Sequence, residues 1–290
     1  MKIVLKLALI MMAFTAWAEI QDKTMLPDKS IVYKTVGDVN LSLKVFLPKD
    51  FKAGEKRPCA VFFHGGAWDG GTPNQFFPHC RHLAERGMVA MSAEYRLRKV
   101  HKTSAMECVI DAKSAIRYIR KHAAELGIAP EKIAAGGGSA GGQMAAAAAT
   151  SKGFDEKDED LKISSQPNAL VLFNPVFDNG PGGYGDGAFG KHSIEISPLH
   201  NIVPGIAPAI LFFGSKDTFV PVATAEKFRD EMKKAGNRCD LMMYEGKGHG
   251  FFNYRPGDKG GNIFYHKTVQ EMDKFLESLG YIAPEPKTKD

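Results

Sequence analysis

The sequence predicts an α/β fold: a central, mostly parallel sheet with helices on both faces and an antiparallel hairpin at its amino-terminal edge. Short apolar runs, typical of strands buried on both faces, alternate with longer segments of helical periodicity. Two segments near the amino terminus alternate apolar and polar residues around Gly37-Asp38, which indicates a hairpin with one solvated face. No repeat or Ser/Gly-rich linker divides the chain, so residues 19–290 are interpreted as a single domain.

Eight strands follow from the apolar runs and the turn residues that bound them. The hairpin pairs residues 31–36 with residues 41–47. The other six runs are short and continuously apolar, or nearly so, as in a covered parallel sheet. These strands are predicted at 59–63, 88–93, 132–136, 169–173, 209–213 and 239–244.

Five helices connect these strands, and their ends carry the expected capping residues. Thr72 and Pro73 are predicted as the N-cap and first residue of the first helix, which Gly87 ends. Ser104 opens the second helix and Gly127 ends it. The predicted helices are 72–86, 104–126, 141–150, 222–234 and 265–279, and the charged stretch 152–162 is predicted to be a solvated loop.

The composition is that of a soluble globular chain. Hydrophobic residues make up 44% and charged residues 24%, which excludes a disordered, collagen-like or polytopic membrane protein. The net charge of +5, from 38 basic and 33 acidic residues, is scattered along the chain. No basic stripe with interleaved aromatic residues is present, so we expect no nucleic-acid partner.

The amino terminus has the pattern of a secretory signal peptide. Lys2 and Lys6 flank the start of an apolar run, residues 7–17, that ends in Ala16-Trp17-Ala18. We expect cleavage after Ala18, which makes residues 1–18 the signal peptide and the protein periplasmic or secreted. The run is shorter than the ~20 residues of a spanning helix, so no membrane anchor is expected after processing.

The four cysteines leave two interpretations open. Export permits disulfides, and Cys59, Cys80, Cys108 and Cys239 allow three full pairings, among which the sequence does not choose. Free buried thiols are the other interpretation. The cluster His79-Cys80-Arg81-His82 lies within a predicted helix, and metal or thiol chemistry is disfavoured there. No metal and no organic cofactor is predicted.

The turn after the fifth strand carries a candidate nucleophile. Ligands of such sheets bind beyond the carboxyl ends of the strands, and Gly137-Gly138-Ser139-Ala140-Gly141 fits G-x-S-x-G between a strand and a helix. A serine on so tight a turn needs neighbours without side-chain bulk. A Walker loop is excluded because no Lys-Ser/Thr follows. A dinucleotide turn is disfavoured, because G-x-G-x-x-G would place Ser139 inside it.

The turn after the third strand is a candidate oxyanion loop. His64-Gly65-Gly66-Ala67-Trp68 is similar to the HGGG-type loop, whose backbone can approach a substrate oxygen closely. We expect the N–H groups of Gly66, Ala67 and Ala140 to bind the oxyanion. His64 is expected to hold the loop rather than to react. Trp68 is a candidate substrate platform for a sugar or aromatic group, or a lid over the loop.

Two further turns supply an acid and a base. Gly214-Ser215-Lys216-Asp217 follows the seventh strand, and Gly248-His249-Gly250-Phe251 follows the eighth. The order Ser139, Asp217, His249 is that of the α/β-hydrolases and differs from those of chymotrypsin-like and subtilisin-like proteases. The alternatives are Asp178 for the acid, and His192 and His200 for the base, both in the Gly-rich segment 178–205 that is expected to cover the site as a loop.

With these four turns and Glu94-Tyr95-Arg96-Leu97, the chain resembles α/β-hydrolase fold esterases of the hormone-sensitive-lipase-like and carbohydrate (acetylxylan or feruloyl) esterase-like type over residues 58–279. Segment 94–97 is expected to brace the loops. The chain departs from the pattern at Ala67, where a third glycine is usual, and at Gly138, where an acid usually precedes the serine. A helical amino-terminal lid is not predicted, which favours bulky or polymer-attached esters.

The resemblance implies a serine hydrolase with a Ser139, His249 and Asp217 triad that works through an acyl-enzyme. The implied substrates are small-molecule or polysaccharide-linked esters with short-chain acyl or feruloyl groups. Two other functions remain open: a serine exopeptidase or oligopeptidase on the same fold, which usually carries a large gating domain, and a catalytically inactive binding protein. No oligomeric state is predicted.

Overall fold

The computed structural model describes residues 25–284. The predicted signal peptide, residues 1–18, lies outside the described residues. The described part contains eight strands: β1 (Lys29–Val36), β2 (Val39–Phe46), β3 (Arg57–Phe63), β4 (Val89–Ala93), β5 (Ile128–Gly138), β6 (Ala169–Phe173), β7 (Ala209–Gly214) and β8 (Cys239–Tyr244). They form a single sheet in the order β1-β2-β4-β3-β5-β6-β7-β8. The predicted fold class and all eight strands are confirmed.

The sheet reverses its direction of growth at β3. The pairs β1–β2 and β2–β4 are antiparallel, which confirms the predicted edge hairpin, and the remaining pairs are parallel. From β3 the chain steps to one side to form β4 and then crosses back to form β5 on the other side. The carboxyl ends of β3 and β5 therefore meet at a topological switch point, where open α/β sheets bind ligands.

Within residues 25–284, five helices are longer than two turns: α1 (Phe77–Glu85), α2 (Ala105–Lys121), α3 (Ala140–Thr150) and α4 (Val222–Lys234), which lie between strands, and α5 (Ile263–Ser278), which follows β8. Ser104 caps α2 as predicted: its hydroxyl accepts from the Met106 N–H, and Glu107 accepts from the Ser104 N–H at 2.9 Å. The first predicted helix differs, because its first turn, Pro73–Phe76, is a 3₁₀ helix. Pro78 has no N–H to donate to Asn74, so the α-helical ladder begins only after that turn.

Successive residues of each central strand pack into two separate cores. In β3, Cys59, Val61 and Phe63 face one core, whereas Ala60 and Phe62 face the other. Helices α2, α3 and α4 cover the first face, and α1 and α5 cover the second. The sheet is therefore buried on both sides, and its side chains become accessible only beyond the strand ends.

The charged stretch 152–162 is an irregular loop with mostly exposed residues, as predicted, but three of its acidic side chains form ion pairs with distant residues. Asp155 lies 3.0 Å from Lys113 Nζ and 2.5 Å from Arg117, and Glu159 pairs with Arg117. Glu156 pairs with Lys34 at 2.7 Å. These partners lie on β1 and α2, so the stretch is docked onto the sheet edge by charges that are distant in sequence.

All four cysteines are free and buried, which is the second of the two interpretations left open by the sequence. Desolvation raises the pKa of each thiol, and for Cys239 it raises the pKa to about 12. Such thiols stay protonated and unreactive at neutral pH. Among residues 25–284, no helix combines the length and apolar character required to cross a bilayer.

His79 is buried in the second core without a polar partner. Its ring packs among aromatic side chains, and neither ring nitrogen has a hydrogen-bond partner among the described residues. Burial lowers the pKa of His79 to about 3. The ring contacts are Phe62, Phe76, Phe173, Phe252 and Tyr265. The native protein therefore holds this imidazole neutral at pH values where an unfolded chain would protonate it.

We predict that His79→Phe removes part of the acid sensitivity of folding. The unfolded His79 takes up a proton below about pH 6.5 and the native one does not, so the free energy of unfolding falls as the pH drops. At pH 5 this term destabilises the wild type by roughly 2 kcal/mol relative to pH 7.5. Urea unfolding at both pH values should show a smaller pH dependence for His79→Phe. Exposed His266→Gln serves as the control, and an equal slope for all three proteins would contradict the prediction.

Candidate active site

A cavity of about 510 Å³ opens at the switch point between β3 and β5. It contains Ser139, His249 and the backbone of Gly66 and Ala67. Its other lining residues are Gly65, Gly71, Thr72, Gln75, Gly138, Asn174, Tyr184, Phe219, Gly250, Phe252 and Asn253. The structure thus brings together, in one cleft, residues that are more than 180 positions apart in the sequence.

Ser139 occupies a strained turn between β5 and α3. Its φ of 52° and ψ of −119° are uncommon for a residue with a side chain, and its N–H is fixed to the Phe173 carbonyl at 2.9 Å. A Cβ on Gly141 would fall against the carbonyl oxygens of Phe63 and His64. The glycines of the motif are therefore required because the turn is pressed against the end of β3.

Asp217 and His249 form a close pair beside this turn. His249 Nδ1 lies 2.7 Å from Asp217 Oδ2, and the side chain of Asp217 is 0% exposed. The other carboxylate oxygen accepts from the N–H groups of Phe219 and Val220 at 2.9 and 3.0 Å. Burial by itself would raise the pKa of Asp217, but these hydrogen bonds outweigh it and lower the pKa. An ionised Asp217 therefore accepts a hydrogen bond from the Nδ1–H of His249 and leaves Nε2 as the reactive nitrogen.

The rival acid and bases lie elsewhere. Asp178 accepts from the Gly180 N–H at 2.9 Å and lies 3.7 Å from His200. His192 pairs with Glu195 at 2.6 Å. None of these four side chains lines the cavity with Ser139. Segment 178–205 forms short helical turns rather than the predicted loop, and it contributes Tyr184 to the cavity.

Nε2 of His249 faces Asn174 in this structure. The Nδ2 atom of Asn174 is 3.2 Å away, whereas no hydrogen bond joins Ser139 to His249 within residues 25–284. Asn174 directly follows β6 and was not identified from the sequence. Its only signal was a polar residue at the carboxyl end of a buried strand.

The predicted oxyanion loop has an unusual backbone. Gly66, Ala67 and Trp68 have φ values of 128°, 53° and 62°, and a Cβ on Gly66 would collide with the carbonyl of Gly70. Within the described part of the chain, the N–H groups of Gly66 and Ala67 donate to no other backbone group. Ala140 is the first residue of α3, so its N–H has no partner inside the helix. These three donors are the candidates for binding an oxyanion.

Gln75 ties the oxyanion loop to the histidine loop. Its Oε1 accepts from the Gly65 N–H at 2.7 Å, and its Nε2 donates to Asn253 Oδ1 at 2.9 Å. Asn253 in turn donates to the carbonyl of Gly250, next to His249. Gln75 belongs to no recognisable motif, and the sequence analysis missed it.

His64 has the structural role expected of it. Its Nδ1 lies 2.8 Å from the Gly65 carbonyl, and the hydroxyl of Tyr95 donates to the His64 carbonyl at 2.7 Å. Burial lowers the pKa of His64 to about 4, so the ring is neutral at physiological pH. Arg96 pairs with Asp111 at 2.8 Å. The predicted bracing role of segment 94–97 is confirmed.

Trp68 is a core residue, and the predicted substrate platform is wrong. The left-handed backbone at residues 67 and 68 turns the side chain inward, where it is 1% exposed. Its Nε1 donates to Gln143 Oε1 at 3.2 Å, and its rings pack against Tyr184 and Phe189. The aromatic residues that do line the cleft are Tyr184, Phe219 and Phe252, and Phe219 is 62% exposed. Residues 25–284 contain no cluster of three or more potential metal ligands.

Comparison with known proteins agrees with this architecture. The BD-FAE family model matches residues 43–179, and that of the dienelactone hydrolase family matches residues 180–278. The apo structure of esterase 2 from Thermogutta terrifontis is 45% identical, with a TM-score of 0.85 over 89% of this chain and 96% of that one. The chain belongs to the α/β-hydrolase fold esterases. The predicted family is confirmed, and membership places the chain among the carboxylic ester hydrolases.

Curated members of this esterase family show the same relationship at lower similarity. A probable isoprenylcysteine alpha-carbonyl methylesterase from Arabidopsis thaliana is 30% identical over 248 residues, which cover 76% of this chain and 50% of that protein. Carboxylesterase NlhH from Mycobacterium tuberculosis is 33% identical over 114 residues, 38% of this chain and 34% of the relative. The chain thus spans half or less of these curated relatives.

We predict that Gln75→Leu loosens the oxyanion loop. The substitution keeps the volume of the side chain but leaves the Gly65 N–H and Asn253 without their partner, which costs about 1–3 kcal/mol of folding free energy. Thermal unfolding measures this loss, and Asn74→Ala, an exposed neighbour on the same 3₁₀ turn, is the matched control. Equal stability of the two variants would show that the Gln75 bridge contributes nothing.

Proposed function

We propose that this esterase is a serine hydrolase that cleaves carboxylic esters through an acyl-enzyme, with Ser139 as nucleophile. One observation carries the proposal: an ionised, buried Asp217 is hydrogen-bonded to His249 in the same cleft as a serine on a strained strand-to-helix turn. An acid, an imidazole and a hydroxyl in this order are the parts that activate a weak nucleophile.

In the first step, Ser139 Oγ attacks the carbonyl carbon of the ester and Nε2 of His249 takes its proton. Asp217 holds the imidazole by Nδ1 and stabilises the imidazolium that forms. The negative charge develops on the carbonyl oxygen, which accepts from the N–H groups of Gly66, Ala67 and Ala140. Each donor of this kind contributes roughly 3–4 kcal/mol in the transition state.

In the second step, the tetrahedral intermediate collapses and the bond to the alcohol breaks. His249 passes its proton to the leaving oxygen, so the alcohol departs neutral and the acyl group stays on Ser139. Water then attacks the acyl-enzyme with His249 again as the base, which releases the acid and restores the serine.

We propose short-chain acyl or feruloyl esters of carbohydrates as substrates. A cavity of about 510 Å³ bounded by Gln75, Phe252 and Tyr184 suits a small acyl group, and exposed Phe219 offers an aromatic face to a sugar or feruloyl ring. Structures of Thermogutta esterase 2 are described as propionate bound and butyrate bound, and this supports a short acyl chain.

We predict that Ser139→Ala lowers kcat for 4-nitrophenyl acetate by on the order of 10⁴-fold or more, because the nucleophile is lost while the fold is retained. Ser193→Ala, on a short helix outside the cleft, serves as the control. Thermogutta esterase 2 is described as phosphorylated by paraoxon, so paraoxon should modify one residue here, Ser139, as read by mass spectrometry. Full activity of Ser139→Ala, or modification at another residue, would refute the nucleophile assignment.

We predict a preference for short acyl chains. Hydrolysis of 4-nitrophenyl acetate and butyrate should exceed that of the octanoate by roughly tenfold or more in kcat/KM, because the cleft gains little by holding a longer chain. Methyl ferulate and acetylated xylan test the feruloyl and carbohydrate parts separately. Octanoate as the best substrate, with no acetate release from xylan, would rule out the substrate class.

A further inference from the structure

Asn174 lies directly after β6 with its side chain against the imidazole of His249. Its Nδ2 atom is 3.2 Å from Nε2, and the residue is 1% exposed although it borders the cavity of Ser139. Its φ of 37° is unusual for a residue with a side chain, and its N–H is fixed to the Phe212 carbonyl at 2.7 Å. The backbone therefore holds this amide in place independently of His249.

The direction of the hydrogen bond follows from the opposite side of the ring. Asp217 accepts a hydrogen bond from the Nδ1–H group. A neutral imidazole has one donor and one acceptor nitrogen, so Nε2 carries a lone pair. Of the two ends of the Asn174 amide, only the NH₂ group can donate a hydrogen bond to this lone pair. The amide oxygen then points away and, within the described residues, is buried without a partner. A buried unpaired carbonyl destabilises the fold, so this orientation of the amide is maintained against a free-energy cost.

We propose that Asn174 is a positioning residue for His249: its amide donates a hydrogen bond to Nε2 in the resting enzyme, which fixes the ring from the side opposite Asp217 and keeps Nε2 free of a proton. The inference rests on the proposed function, because it assigns Asn174 a part in preparing the general base. It also explains why Ser139 and His249 are not hydrogen-bonded in this structure. The Nε2 lone pair accepts one hydrogen bond, so during the reaction Nε2 exchanges the Asn174 donor for the hydroxyl of Ser139.

This exchange has a consequence for the proton. Once Nε2 has taken the proton of Ser139, the NH₂ group of Asn174 cannot accept that proton. The imidazolium is therefore stabilised by Asp217 alone, and the proton passes readily to the leaving oxygen. Asn174 in this role favours both the basic resting form of His249 and the forward transfer of the proton.

Besides Asn174, several polar and charged groups surround His249, and of these only Asp217 is hydrogen-bonded to its ring within the described residues. Asp217 lies on the loop after β7, and Phe219 of the same loop places its ring 5.3 Å from the imidazole. Lys247 precedes His249 on its own loop, but its Nζ lies over the Phe264 ring at 3.9 Å. Tyr184 shares the cleft with Ser139 and His249, and Arg255, Asp258 and Tyr265 line the neighbouring cavity that His249 also borders. A change at Asn174 should therefore register directly at His249.

The test compares the pH profiles of kcat/KM for Asn174→Asp and Asn174→Leu with that of the wild type. In Asn174→Asp the donor becomes a charged acceptor that stabilises the imidazolium, so the acid limb should move to higher pH by about one pH unit or more. In Asn174→Leu the N–H donor is lost and no charge is added, so the acid limb should move to higher pH by less than in Asn174→Asp. Its kcat at high pH should fall by roughly tenfold, because the ring loses one of two anchors.

Thr72→Asp is the control for charge. It adds a carboxylate to the rim of the same cleft at an exposed N-cap, without a hydrogen bond to His249. An Asn174→Asp shift no larger than that of Thr72→Asp overturns the proposal, and so does an Asn174→Leu variant with the profile and kcat of the wild type. Asn174→Asp keeps the shape of the side chain and decides the question by itself if Asn174→Leu fails to fold.

A second readout separates this proposal from the proposed function. The ¹⁵N signals of the His249 ring, followed over pH in Ser139→Ala and in Ser139→Ala with Asn174→Asp, should show protonation at higher pH in the double variant. This measurement needs no turnover. A wild type that hydrolyses no ester would overturn the esterase mechanism, whereas identical ring titrations in the two proteins would overturn the role of Asn174.

Discussion

The site depends on one close backbone contact, between the carboxyl end of β3 and the turn that joins β5 to α3. Gly141 has no room for a side chain because the carbonyl oxygens of Phe63 and His64 occupy that space. The same contact sets Ser139 beside the loop that follows β3, so the hydroxyl and the oxyanion donors are positioned together. A turn that stood farther from β3 would separate these groups even if every side chain were retained.

Around this contact, most polar side chains form hydrogen bonds with backbone groups. Tyr95 donates to the His64 carbonyl, and Gln75 accepts from the Gly65 N–H. Asp217 accepts from the N–H groups of Phe219 and Val220 as well as from His249. Preorganised donors stabilise developing charge because they do not reorganise during the reaction. In the proposed reaction, the backbone donors of the cleft are therefore as important as the hydroxyl and the imidazole that exchange a proton.

Much of this could be predicted from the sequence, because the signals are local. Apolar runs of about five residues identified six strands, the alternation of apolar and polar residues identified the hairpin, and the G-x-S-x-G turn placed Ser139 between a strand and a helix. The order of Ser139, Asp217 and His249 selected the pair that the structure joins at 2.7 Å. The features that the sequence did not predict depend on contacts between residues that are distant in the sequence. Trp68 turns inward because of its positive φ, and the ion pairs of Asp155 and Glu156 form because their partners lie on α2 and β1. Asn174 and Gln75 are single polar residues without a motif, so only their spatial neighbours reveal them.

The pairing of β3 with β5 also bears on how the protein acquires its activity. These strands are neighbours in the sheet, yet β4, α2 and their connections lie between them in the chain. Bringing β3 and β5 together costs the conformational entropy of the long segment between them. Parallel pairs of this kind therefore form later than local helices and hairpins. The oxyanion loop and the serine turn thus belong to segments that meet only when the middle of the sheet has assembled. A folding intermediate with intact helices and a formed β1–β2 hairpin would still be inert, and the first turnover would mark the completion of the sheet's centre.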